Sequence, residues 1–245
     1  MRRLALAGLA LLLAGCGSHV AHRVKGAHVQ RCAAGSLHRL GTVRTAYAAL
    51  APRGAVAFQA PGGSELARFG AVNVNRSPTV LGVTGAVVDA RCRPAWYRVQ
   101  LPVRPNGTVG FVRARQVELV NVATRIVVDV SARRLTVYRS GRAVLRATVA
   151  VGSPATPTPL GRFFVDQRLI PDDPRGPYGP EAIGISAFSN VLTGWAQGGP
   201  VAIHGTNEPW SIGRAVSNGC IRLPNATLER IYPWAPAGTP VIVRA

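Results

Sequence analysis

The stretch His204–Arg222, HGTNEPWSIGRAVSNGCIR, decides how the second half of this chain is read. It carries a histidine and a cysteine, both set among small residues. A thiol alone is a slow nucleophile at neutral pH, and an imidazole within reach can take its proton. Gly205 follows the histidine, and Ser217-Asn218-Gly219 lead into Cys220. Glycines let a backbone approach a reacting carbonyl, and consecutive amides before a nucleophile can form an oxyanion hole. Cys220 is therefore the candidate nucleophile and His204 the candidate general base. The amides of Asn218, Gly219 and Cys220 are the candidate oxyanion donors.

Working outward, the surroundings read as β-structure. Pro200–Ile203 is a short apolar run that delivers His204 at its end. Upstream, Ile126, Val128 and Val130 alternate with Val127, Asp129 and Ser131, and Leu135 and Val137 repeat the alternation. Ser140-Gly141 makes a turn into Val144–Val151, Gly152–Gly161 is a loop, and Arg162–Val165 resumes a strand. Residues 170–199 are rich in Pro and Gly and include Tyr178 and Trp195. They read as a long functional loop with short structured pieces inside it, a candidate lid or wall of a cleft. Asn225 is a candidate cap for one short helix, with Leu228 and Ile231 inward, and Val241–Val243 closes the sheet.

The pattern His204-Gly205, then Ser217-Asn218-Gly219-Cys220-Ile221-Arg222, resembles the active-site signature of the YkuD-type L,D-transpeptidases. The resemblance runs from about Thr124 to the C-terminus. Many family members have histidine where this chain has Asn218. The resemblance implies a mainly β fold, a YkuD-like β-sandwich with one short helix over residues 124–245. It implies that the Gly205 carbonyl fixes the His204 tautomer, a role that otherwise falls to a carboxylate. Glu208 is the competing orienter. Arg222 stays permanently charged and either pairs with a substrate carboxylate or braces the loop. Ser217, Tyr178 and Trp210 complete the candidate substrate-binding set, with packing as the alternative for the aromatics.

Other signals lie upstream. Arg2 and Arg3 precede an apolar run, Leu4–Ala14, that is too short to span a bilayer comfortably. The ending Leu13-Ala14-Gly15-Cys16 resembles a bacterial lipobox. It implies a signal peptide over 1–15, lipidation at Cys16 and an extracytoplasmic, membrane-anchored protein, the alternative being plain secretion. Residues 16–40, polar and rich in histidine, read as a flexible tether. Residues 41–120 read as a small β-domain. The segment WYRVQLPVRPNGTVGFVRARQVEL, Trp96–Leu119, resembles the last strands of bacterial SH3-like barrels. A generic β spacer is the alternative.

The net charge is +19, which raises the question of nucleic acid. An exported chain, scattered arginines and a single lysine, Lys25, argue against it. An anionic cell wall or membrane surface is the better electrostatic partner. Cys32 and Cys92 remain once Cys16 and Cys220 are assigned, and an oxidising compartment favours a disulfide between them, two free thiols being the alternative. No CxxC or HxxxH pair suggests a metal, and no cofactor is called for. The family resemblance implies an acyl-enzyme on Cys220, formed from a peptidoglycan tetrapeptide stem with loss of D-alanine and resolved as a 3→3 cross-link. An L,D-carboxypeptidase, a protein-to-peptidoglycan ligase and a non-catalytic wall-binding lipoprotein are the alternatives.

Overall fold

The computed structural model describes residues 32–245. The signal peptide and Cys16 lie outside the described residues. Strands β1 (Leu37–Arg39), β2 (Ala46–Leu50), β3 (Ala55–Phe58), β4 (Glu65–Phe69), β5 (Val80–Val88), β6 (Pro94–Gln100), β7 (Val109–Arg113) and β8 (Glu118–Val122) form the N-terminal sheet. Their order is β4-β3-β7-β6-β5-β2-β8, with β1 also pairing β5. The path is open, with β4 and β8 at its two ends, so it does not establish an SH3-like barrel. The Arg104–Gly107 turn joins β6 to β7 where the Pro-Asn-Gly run placed it. Cys32 and Cys92 are joined by a disulfide. The order therefore begins before residue 41. Leu37–Arg39 pairs with Gly85–Val87, and His38 bonds the Ser36 hydroxyl at 2.8 Å. The tether reading fails for residues 32–40 because backbone pairing and a covalent bridge hold a segment that lacks apolar periodicity.

The C-terminal half contains β9 (Thr124–Asp129), β10 (Arg134–Arg139), β11 (Arg142–Thr148), β12 (Val151–Gly152), β13 (Gly161–Leu169), β14 (Ala182–Phe188), β15 (Pro200–His204), β16 (Ala215–Ser217), β17 (Ile221–Arg222), helix α1 (Asn225–Ile231) and β18 (Pro240–Arg244). The main sheet runs β11-β10-β9-β18-β13-β14-β15-β17, and β12 pairs with β16. In β9, Ile126 and Val128 are buried while Arg125, Val127 and Asp129 are less so, as period-two patterning requires. β13 changes partner midway. Gly161–Phe164 pairs with β18 and Val165–Leu169 pairs with β14. Both halves of the sheet feed one core, with Leu135 and Val241 from one, Ile183 and Ile203 from the other, and Leu228 and Ile231 from α1.

The long-loop reading of residues 170–199 is corrected by β14. Six of its seven residues are buried. A strand covered on both faces loses the polar alternation that marks a half-exposed one, and Gly184 further masks it.

The two halves are packed together. The Phe164 ring lies over Gly82, where any Cβ would meet ring carbon at 2.8 Å. Asn106 accepts the Phe188 amide at 2.9 Å and donates to the Phe188 carbonyl at 2.7 Å. Arg104 donates to the carbonyls of Ser189 and Gly198. The last part of the 170–199 segment is thus tied to the N-terminal half.

Candidate active site

β15 and β17 run parallel, with Ile203 beside Ile221 and His204 beside Arg222. This register sets Cys220 next to Ala202, two residues before the histidine. The Ala202 amide donates to Cys220 Sγ at 3.4 Å. Two segments that the sequence separates by a loop are therefore brought to one sheet edge by backbone pairing.

His204 is 4% exposed. Its Nδ1 lies 2.6 Å from the Gly205 carbonyl oxygen. A carbonyl only accepts, so Nδ1 carries the proton and Nε2 keeps its lone pair. Burial drives the His204 pKa down to about 4, against the raising effect of that hydrogen bond, and the Arg222 charge lowers it further. Burial pushes the Cys220 thiol upward, only partly opposed by the Ala202 amide and Arg222. At neutral pH the resting pair is thiol and neutral imidazole. The desolvated setting penalises both charged forms.

The turn before Cys220 is built by Ser217. Its hydroxyl donates to the Cys220 carbonyl at 2.6 Å and accepts the Gly219 amide at 3.2 Å. Ser217 is 2% exposed, so it shapes the turn and does not face a substrate. The Gly219 amide is spent on Ser217, which removes it from the candidate oxyanion donors. The amides of Asn218 and Cys220 carry no hydrogen bond among the described residues. Ser153 N and Thr156 Oγ1 both donate to the Ser217 carbonyl at 2.9 Å, fixing the turn against the 153–160 loop.

Arg222 Nη1 donates to Glu208 Oε2. Glu208 is thereby directed at the arginine, and the Gly205 carbonyl occupies His204 Nδ1. The pair braces the 205–214 loop. Tyr178 is half exposed and meets the His204 ring edge-on, centroids 5.0 Å apart. Trp210 is also exposed and lies under the Arg214 guanidinium at 5.7 Å.

Asn225 has a role that sequence reading missed. The N-cap of α1 is Pro224, with no side-chain cap bond. Asn225 Oδ1 instead accepts the Thr206 amide at 2.7 Å. It sits so close to Gly205 that a Cβ there would collide with it, and a Cβ on Gly179 would meet it at 2.6 Å. The glycine after His204 is needed for this close approach, which holds the Gly205 peptide in place. Its position at a helix start suggested capping, and no local signal reports a bond reaching back across the site.

Fold and site define a β-rich domain in which His204 ends β15 and Cys220 immediately precedes its parallel neighbour β17. Residues 123–243 match the family model of YkuD, the L,D-transpeptidase catalytic domain. This region of the chain belongs to that family. It is 36% identical over 119 residues to YkuD of Bacillus licheniformis, covering 49% of this chain and 64% of that protein. It is 35% identical over 118 residues to YkuD of Bacillus subtilis, covering 48% and 64%. Both relatives carry L,D-transpeptidase names. The match spans less than two thirds of their length. Among solved structures, a mutant of Enterococcus faecium L,D-transpeptidase is 26% identical with TM-score 0.37, covering 49% of each chain. An L,D-transpeptidase from Mycobacterium smegmatis is 20% identical with TM-score 0.41, covering 69% of this chain and 92% of that one.

Proposed function

We propose that the C-terminal domain cross-links peptidoglycan by cysteine-dependent L,D-transpeptidation. The observation that supports this most is His204, held by the Gly205 carbonyl with Nε2 free, on the strand beside the one that Cys220 leads into, two register positions away. As Sγ bonds to the carbonyl carbon of the third stem residue, a diamino acid, its proton passes to Nε2. The developing oxyanion is received by the free amides of the Cys220 turn. The C–N bond to the terminal D-alanine breaks, and His204 returns the proton to the leaving nitrogen. A thioester remains. An amine of a second stem attacks it, the C–S bond breaks, the thiol is regenerated and a 3→3 link results. The neutral resting pair suits this course, because no charged form must be buried before substrate arrives.

Incubation with a disaccharide-tetrapeptide, followed by mass spectrometry, tests the reading. D-alanine release with a cross-linked dimer is the expected result. D-alanine release with monomeric tripeptide alone would indicate a carboxypeptidase, and an unchanged donor would overturn enzymatic function. The proposed site of action is extracytoplasmic, on a lipid anchor at Cys16. Cys16→Ser is expected to shift the protein out of the membrane fraction, and unchanged fractionation and processing would refute the anchor.

A further inference from the structure

A cavity of about 860 Å³ lies between the two halves, away from Cys220. Its size falls within the range of about 300–1,000 Å³ typical of small-ligand sites. Arg39, Arg98, Arg125 and Arg162 line it, and no Asp or Glu does. The register explains the grouping. Arg39 and Arg98 both pair with Gly85, one from each side, so two arginines flank a position without a side chain. On the facing sheet, Arg162 pairs with Ile242, which pairs with Val127, two residues after Arg125. Strand alternation then puts Arg125 and Arg162 on the same face.

These charges are not neutralised from within. None of the four pairs with a carboxylate among the described residues. Arg98 has only the Thr84 hydroxyl, at 3.1 Å. Arg125 lies over the Tyr138 ring at 5.0 Å, and its Nε is buried with no hydrogen-bond partner. A buried donor left unmade is costly, and a guanidinium is matched best by an oxyanion. Four like charges around one cleft, in a chain of net charge +19, add repulsion that a bound anion would relieve.

We infer that this inter-domain cleft is a binding site for a ligand bearing at least two oxyanion groups, carboxylate or phosphate. The inference does not rest on the chemistry of Cys220. The test uses the full chain carrying Cys220→Ser, so that turnover cannot intervene. Three probes are titrated by calorimetry: a disaccharide-tetrapeptide with free carboxylates, an oligo(glycerol phosphate), and neutral chitotetraose. The Arg125 Nε–Hε resonance is followed in parallel by NMR. The expected result is that at least one anionic probe binds, moves that resonance and weakens with salt. Its affinity should fall at least tenfold in Arg125→Gln/Arg162→Gln and hold in the exposed control Arg146→Gln. Which anionic probe binds identifies the source. If the double variant is unfolded, the resonance in the unmutated cleft decides alone. No binding by either anionic probe would overturn the site. Equal binding of chitotetraose, or binding that leaves the Arg125 resonance unmoved and so belongs to the Cys220 site only, would do the same.

Discussion

Replacing Glu208 with Gln separates two accounts of how His204 is oriented. Gln keeps the size and removes the charge. Were Glu208 the orienting acid of a triad, its loss would cost about four orders of magnitude in turnover. The geometry assigns that role to the Gly205 carbonyl, 2.6 Å from Nδ1, while Glu208 points at Arg222. Turnover, read as D-alanine release from a tetrapeptide donor, should therefore fall less than about tenfold. The cost should appear as stability instead. The Arg222 side chain is 17% exposed and would lose its carboxylate, with its Nε already unpartnered. The Glu208 side chain is 43% exposed, so solvent screens much of the pair. A loss of about 1–2 kcal/mol lies between the surface and buried limits. There is a second consequence. Arg222 already lowers the Cys220 pKa, and removing its counter-charge strengthens that field. Alkylation of Cys220 by iodoacetamide should then reach half-maximal rate at lower pH than in the wild type. A thousandfold loss of turnover with the fold intact would refute the carbonyl assignment. An upward shift of the alkylation profile would refute the assigned role of Glu208 as the counter-charge.

The other expectations concern neighbouring groups. Asn225→Ala should lower kcat more than it raises KM, because it strips the acceptor from the Thr206 amide and loosens the Gly205 peptide; Asn225→Asp, which keeps the acceptor, should restore most of it. Because His204 is held neutral down to about pH 4, the acid limb of kcat/KM should fall near pH 4 and not near the ordinary histidine value of about 6.5; a limb above pH 6 would contradict the buried, neutral base. Asp166 has a buried Oδ1 without a partner, and burial raises its pKa to about 7. A carboxyl raised on folding costs nothing below its unfolded value of about 4 and its full penalty above about 7. Asp166→Asn should thus leave stability unchanged at pH 4 and raise it at pH 8, by up to about 4 kcal/mol in urea unfolding; equal effects at both values would remove the titration from the account.

What the sequence makes legible here is chemistry that a residue performs with its immediate neighbours. His204, Gly205 and Cys220 stand in a short run of small residues, and the lack of an acid beside His204 already points to a backbone carbonyl. Strand β9 announces itself because one face is buried and the other is less so; β10 is legible because polar Thr136 stands between Leu135 and Val137, although all three are buried. β14 is not, since both its faces are covered and the alternation disappears. The Gly219 amide looked available because adjacency cannot reveal that Ser217 folds back upon it. Asn225 acts on a peptide 19 residues earlier, and Asn106 on a strand end 82 residues later. Such partners are chosen by sheet order, which no local pattern encodes. The same holds for Arg39, Arg98, Arg125 and Arg162. In sequence they are four among many scattered arginines. Only the shared partner Gly85 and the pairing of Ile242 with both Arg162 and Val127 turn them into one cleft. Net charge alone thus says that anions will be attracted somewhere, and the strand register says where a bound one would meet a buried donor that lacks a partner.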